Sequence, residues 1–344
     1  MRSGLLLFAL ASIACAGSET AVRDRPAGSA AFNDYFTPMD TVILNAGTDR
    51  PFVRLSGIDV GEDGRIVATD VSDGTGYLFS PQGDLVRTLG KRGFGPGEFQ
   101  VPHTPRFGAD GRIHVADARL QQIVVFSSDG RFERAVPLRG FLALPTYEVL
   151  PDGSYLLAGT RDPADPNVLF LADPRGTVLQ GMLPLGRYHP AGQSASVTWQ
   201  QIRRPSFTVM GDDVAVVLSI ADSLWIASLR GGEQRATEIP IPGYKSPELP
   251  RTQRLDVREA RAWGSSFTTV SGIFHVGESL LVSTVEGVMY EGDPRSAMLK
   301  TASGGWISLS GSPVLLGTSG DRLVTSQDPT ADRITLIYYR LRER

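Results

Sequence analysis

Gly61-Glu-Asp-Gly-Arg-Ile-Val-Ala-Thr-Asp70 recurs as Gly108-Ala-Asp-Gly-Arg-Ile-His-Val-Ala-Asp117, displaced by 47 residues. The same displacement carries Phe79 onto Phe126 and Gly83 onto Gly130, so two turns and an aromatic keep step over about 25 residues. Each copy reads as a small sheet. A short apolar strand at 57–60 meets a Glu62-Asp63-Gly64 turn, whose glycine supplies the positive φ of a tight hairpin. A second strand (65–69) ends at Asp70, a third (76–79) ends at Ser80-Pro81-Gln82-Gly83, and a fourth covers 84–89. The unit is therefore one antiparallel four-stranded meander.

Weaker copies come after it. Pro151-Asp152-Gly153 opens a third unit completed by 173–179. Runs at 214–220, 224–229 and 235–239 make a fourth, and runs at 280–284, 297–300 and 306–309 make a fifth. The last unit has strands at 314–317, 322–326 and 334–341, and then the chain stops one strand short. Asp40-Thr41-Val42-Ile43-Leu44 is apolar, precedes the first unit and has no hairpin partner. Pairing it with 334–341 closes a ring and covers an edge that would invite aggregation. The fold expected is an all-β, six-bladed β-propeller of four-stranded blades, occupying 40–344.

The first residues have a different character. Arg2 precedes the apolar run Leu5-Leu6-Leu7-Phe8-Ala9-Leu10-Ala11, which is followed by small residues, as in an export signal. The run is too short to span a bilayer, which takes ~20 apolar residues. Ser12-Ile13-Ala14-Cys15 resembles a bacterial lipobox, in which the cysteine thiol receives a diacylglycerol. That resemblance implies a signal peptide over 1–15, lipidation at Cys15 and an exported protein in the periplasm or anchored to the outer membrane. Ordinary signal-peptidase cleavage nearby, with an incidental cysteine, is the alternative. Cys15 is the one cysteine of the chain, so no disulfide is available. Residues 16–39 are small, charged and proline-containing without periodicity, which reads as a flexible tether.

Composition narrows the function classes. The 344 residues are 41% hydrophobic and 21% charged with a net charge of −3, which lacks the concentrated positive field that nucleic acid requires. Apart from a lipid anchor no membrane contact is expected, and a monomer is expected.

Between the two strong repeats lies Leu89-Gly-Lys-Arg-Gly-Phe-Gly-Pro-Gly-Glu-Phe99, followed by Val101-Pro102. With the His114-Val115-Ala116-Asp117 strand it resembles the signature of NHL-type repeats, and the chain resembles bacterial six-bladed propeller lipoproteins. The motif covers about 55–135; the remainder rests on blade counting. The resemblance implies that Asp70 and Asp117 are structural, supporting the turn after the second strand.

Local catalytic motifs are absent: no nucleophile elbow, P-loop, zinc-spaced histidine pair or dinucleotide fingerprint occurs. Propeller enzymes gather residues from several blades, so the residue types able to converge matter more than spacing. Gluconolactonase-type propellers hold a divalent cation with carboxylate and Asn oxygens, whereas Asn33, Asn45 and Asn167 fall in the tether, near the closing strand and in an outer loop. Zinc-dependent propeller lyases need several channel histidines. Here His103 precedes an inner strand, His275 ends one, His114 lies in a second strand and His189 in a long loop, so convergence is not expected. Neither a metal nor another cofactor is expected. Asp59, Arg106 and Glu148 take equivalent inner-strand positions, where they line the channel mouth or form solvated rim pairs.

Two long connections, 186–204 and 243–265, emerge on the face that carries blade-to-blade links, where binding residues concentrate. Within the second, 249–263 reads as a short helix opened by Pro250, with Arg251, Arg254, Arg258 and Arg261 on one side. The alternative is a solvated helix face docked through Leu255 and Ala262. The candidate ligand-binding set is His103, Arg106, Arg204, Arg254, Arg258, Arg261 and Trp263.

Two readings of function result. One is a non-enzymatic envelope propeller that binds a protein, peptide or glycan partner of anionic character through its loop-rich face; the other is a propeller hydrolase or lyase with residues converging at the channel. For the anchor, the expectation is that wild type sediments with membranes in a bacterium that has the lipoprotein pathway, while Cys15→Ser moves to the soluble fraction. Wild type already soluble there would show simple secretion.

Overall fold

A computed structural model describes residues 28–45, 52, 54–141, 144–161, 165–185, 205–232, 234–245, 267–286, 295–326 and 334–343. The chain opens with β1 (Gly28–Ala31), a single-turn α1 (Phe32–Tyr35) and β2 (Phe36–Leu44). Six sheets then come in order. The first holds β3 (Leu55–Val60), β4 (Ile66–Asp70), β5 (Thr75–Phe79) and β6 (Leu85–Leu89). The second holds β7 (Pro102–Phe107), β8 (Ile113–Asp117), β9 (Gln122–Phe126) and β10 (Phe132–Pro137). The third holds β11 (Thr146–Val149), β12 (Tyr155–Ala158), β13 (Asn167–Ala172) and β14 (Val178–Pro184). The fourth holds β15 (Pro205–Met210), β16 (Asp213–Leu218), β17 (Ser223–Ser228) and β18 (Arg235–Glu238). The fifth holds β19 (Thr268–Val276), β20 (Ser279–Glu286), β21 (Arg295–Lys300) and β22 (Trp306–Ser310). The sixth consists of β23 (Val314–Ser319), β24 (Arg322–Ser326), β25 (Ile334–Leu341) and, on its outside, β2. The expected six-bladed propeller is present, and β2 closes it.

The sequence pattern explains why the blades stack. Strands β4, β8 and β12 are buried along their whole length, since each blade lies between two others and must be apolar on both faces. Outer strand β6 is exposed over its first four residues. Gly83, at φ 90°, lets the last turn of the first blade touch the closing strand: a Cβ there would stand 2.2 Å from the Ile43 carbonyl oxygen. Gly176 repeats the device against Pro137 of the second blade.

Asp70 and Asp117 hold the turns after the second strands. Asp70 Oδ1 accepts from the Ser72 and Asp73 amides, and Oδ2 accepts from the Arg54 amide leading into the inner strand. Asp117 does the same for Arg119, Leu120, Val101 and Gln100. A buried carboxylate is tolerated where several amides point at it.

The structure departs from the sequence reading at 28–39, which was expected to be tether. Strand β1 adds in parallel to β22 of the fifth blade, α1 turns the chain, and β2 then enters the sixth blade. Its first residues, Gly28-Ser-Ala-Ala31, have no apolar alternation, so the backbone ladder carries the pairing together with the two phenylalanines of the next turn. Phe32 and Phe36 stack at 4.5 Å and share a buried cluster with Leu299, Leu309 and Leu323. Asn167, expected in a loop, begins β13. The helix expected within 249–263 lies outside the described residues, and the short helix that is described is α1.

Phe36→Ala should lower the unfolding free energy by about 3–5 kcal/mol, because the ring is fully buried between two blades. Met39→Ala, at a position 52% exposed, should change it by less than about 0.5 kcal/mol. Urea melts of the two variants against wild type measure both; equal midpoints would show that the amino-terminal clasp does not hold the ring.

Candidate functional site

The first strands of the six blades, β3, β7, β11, β15, β19 and β23, line the central channel and run in the same sense around it. They begin at the face crossed by the blade-to-blade connections, here the loop face, and end at the opposite face. A residue's place along its strand therefore fixes its depth.

Near the loop face the inner strands are irregular. Pairing slips between Leu55 and Gly57, His103 and Pro105, Val270 and Gly272, and Leu315 and Gly317. Bulges of this kind re-aim side chains. Thr104, the bulged residue of β7, has φ 45° and its hydroxyl meets His103 Nδ1 at 2.6 Å. Hydroxyls tie neighbouring blades there: Ser56 Oγ donates to the Pro102 carbonyl at 2.8 Å and Thr146 Oγ1 to the Pro205 carbonyl at 3.1 Å.

Deeper lies a charged triad from three blades. Arg106 Nε donates to Glu148 Oε2 at 2.9 Å, and Asp59 Oδ2 accepts from the Phe107 amide at 2.7 Å. Burial pushes the Asp59 and Glu148 carboxyls up, against the pull of the Arg106 guanidinium. Arg106 is held charged: desolvation opposes its cation, but Glu148 and Asp59 outweigh it. The Arg106 and Glu148 side chains keep 26% and 37% of their surface open, so channel water still screens them. The triad lines the channel near its far end, and is more than a pair on the solvated rim.

The histidines do not converge. His103 is second in β7, at the loop face, whereas His275 is next to last in β19, at the opposite end, where burial pulls its pKa down. His114 lies buried in β8 away from the channel, between the second and third blades. His103 and Arg106 are separated by three residue steps at about 3.3 Å each, so they occupy different levels. Among the described residues no cluster of three or more His, Cys, Asp or Glu side chains is arranged to hold a metal ion. Cys15, His189, Arg204, Arg251, Arg254, Arg258, Arg261 and Trp263 lie outside the described residues.

The structure adds one residue to the loop face, Phe94. It sits in the connection from the first to the second blade and is 75% exposed. The loop beneath it is tightly built. Phe99 is buried as its plug, the Phe99 amide donates to the Lys91 carbonyl, and Glu98 Oε2 accepts from the Gly95 amide at 2.8 Å. Arg92 reaches the Val71 and Ser72 carbonyls of the first blade and, within the loop, the Gln100 carbonyl, while the Gln100 amide donates to Asp117 of the second blade. The signal was present in the sequence as an aromatic flanked by Gly93 and Gly95, a place where no core can form.

No protein-family model matches the chain, and no curated protein matches its sequence. Similar solved structures are numerous. A Bacteroides fragilis protein classed by inference as exported is similar at TM-score 0.68 and 12% identity, over 92% of this chain and 99% of that one. A member of the DUF4221 family from Bacteroides vulgatus gives 0.62 and 11%, over 90% and 98%. A virginiamycin B lyase from Staphylococcus aureus gives 0.52 and 13%, over 85% and 81%. At these identities the likeness is one of fold.

Arg106→Met would leave Asp59 and Glu148 without their cation. The expected loss at neutral pH is about 1–3 kcal/mol, below that of a fully buried pair because channel water screens the charges. Both carboxyls titrate above their unfolded values, so the penalty is present above the folded pKa and disappears as pH falls through it. Urea melts of variant and wild type should therefore converge on acidification; a gap constant down to pH 4 would contradict the assignment.

Proposed function

We propose that this protein is an exported, non-enzymatic propeller that captures a protein, peptide or glycan partner on its loop face. The observation that carries the reading is Phe94, a large aromatic presented 75% exposed on a loop that Arg92 ties to the first blade and the Gln100 amide ties to Asp117 of the second. A rigid aromatic costs little conformational entropy on binding, and such residues dominate interface energetics. Strand β14 ends and β15 begins at this same face, as do β18 and β19. On this reading Arg204, Arg254, Arg258, Arg261 and Trp263 add positive charge and a second aromatic, which suits an anionic partner.

The separate depths of His103 and His275 weigh against the alternative of a lyase built on channel histidines. The amide-clamping roles of Asp70 and Asp117 support an NHL-like relationship. With Cys15 acylated, the chain up to Gly28 could extend at most about 45 Å, which would keep the propeller close to its membrane.

Envelope extract passed over immobilised wild type, Phe94→Ser and Arg254→Glu/Arg258→Glu tests the reading. Both variants should retain about tenfold less of the captured partner, and capture should weaken as salt screens charge beyond ~8–10 Å. Equal capture by all three proteins would remove the loop face from consideration.

A further inference from the structure

The opposite face carries a cleft that the loop-face reading does not use. It lies between the second and third blades, has a volume of about 270 Å³, and is walled by the first hairpin turns of both blades and by Pro174. Its base is His114, 3% exposed and held by its neighbours.

The tautomer of His114 is set by its partners. Among the described residues the Tyr155 hydroxyl has one side-chain partner, His114 Nδ1. Tyr155 is fully buried, and its own proton has His114 Nδ1 as acceptor at 3.1 Å. Nδ1 therefore accepts, and in the neutral ring the proton sits on Nε2. Burial keeps the ring neutral, with its pKa down at about 4. Among the described residues Nε2 has no hydrogen-bond partner, and the ring lines the cleft. Gly108 leaves the way open, since a Cβ there would stand 3.2 Å from Nε2. A nine-tenths buried imidazole thus aims one unpartnered N–H donor into an open cleft.

The remaining lining is mixed in sign. The charge of Arg112 is paired by its own neighbours, Glu133 at 2.7 Å and Asp110 at 2.6 Å. Arg134 Nη1 donates to the Pro174 carbonyl at 2.7 Å, and among the described residues its guanidinium makes no ion pair. Asp152 accepts from the Ser154 amide and hydroxyl through Oδ1, which leaves Oδ2 open. A simple anion would meet Asp110, Glu133 and Asp152, and a simple cation would meet Arg112 and Arg134, so neither is matched. A molecule carrying both charges is.

We propose that this cleft binds a small zwitterion of the α-amino-acid class, its carboxylate on His114 Nε2–H and Arg134 and its ammonium on Asp152. The cleft, about 270 Å³, has room for an amino acid.

The test uses the full chain labelled with ¹⁵N-histidine, titrated with L-alanine, and with acetate and ethylamine as its two charged halves. The His114 side-chain signal, assigned with His114→Gln, should read as a neutral ring protonated on Nε2. L-Alanine should shift it saturably, and each half should need about tenfold more or fail to saturate. Asp152→Asn should weaken L-alanine about tenfold with the resting signal unmoved, and Gly108→Ala should block it. No saturable shift, or acetate alone acting as well as L-alanine, overturns the proposal, and the wild-type titration decides this even where a variant misfolds. L-Alanine binding as tightly to Asp152→Asn as to wild type would overturn the ammonium assignment and the proposal with it. Loop-face capture by Phe94→Ser reads independently of every one of these outcomes.

Discussion

The pairing of β2 with β25 is the contact on which the rest of the molecule depends. It joins Phe36 to Leu341 and Leu44 to Ile334, nearly the full length of the domain apart. Closing so long a loop costs little more than closing one half as long, since the entropy grows only with the logarithm of length. What it secures is much larger. Each blade's middle strands are apolar on both faces, so a blade without neighbours on both sides would expose a continuous hydrophobic surface. The clasp is doubled, because β1 grips the fifth blade while β2 completes the sixth, with Phe32 and Phe36 packed between them.

Inside this ring, polar groups are kept where partners converge on them. Asp70 and Asp117 are buried yet satisfied by backbone amides, which costs less than leaving those amides unpaired in the turns. Arg106 shows the opposite balance of terms. Its desolvation is offset only because two carboxylates approach it from adjacent blades, and each carboxylate is itself pushed toward its neutral form. Such a triad fixes the rotation of three blades relative to one another.

The two ends of the propeller are chemically unlike. Among the described residues the loop face presents hydroxyl-lined strand starts and the projecting Phe94, whereas the opposite face carries paired charges and a recessed imidazole. A propeller scaffold serves exported proteins and lyases alike among the similar structures, so architecture by itself carries no activity. What distinguishes this chain is which side chains each face holds and at what depth.

Much of the fold was legible without coordinates. The repeat of 61–83 at 108–130 specified a four-stranded unit, because turn glycines and strand alternation are local signals. The orphan strand at 40–44 specified closure by elimination, and the resemblance carried by His114-Val115-Ala116-Asp117 implied the structural aspartates. Strand β1 was not legible, since Gly28-Ser-Ala-Ala31 has no side-chain pattern and is held through backbone bonds to a partner about 280 residues away. Nor was the cleft. Asp110, His114, Glu133 and Asp152 show no motif spacing, and each alone reads as a turn residue or a core residue. Local sequence determined the blade and the number of blades; rotation about the channel axis decided which residues meet, because that rotation brings together positions that no period along the chain relates.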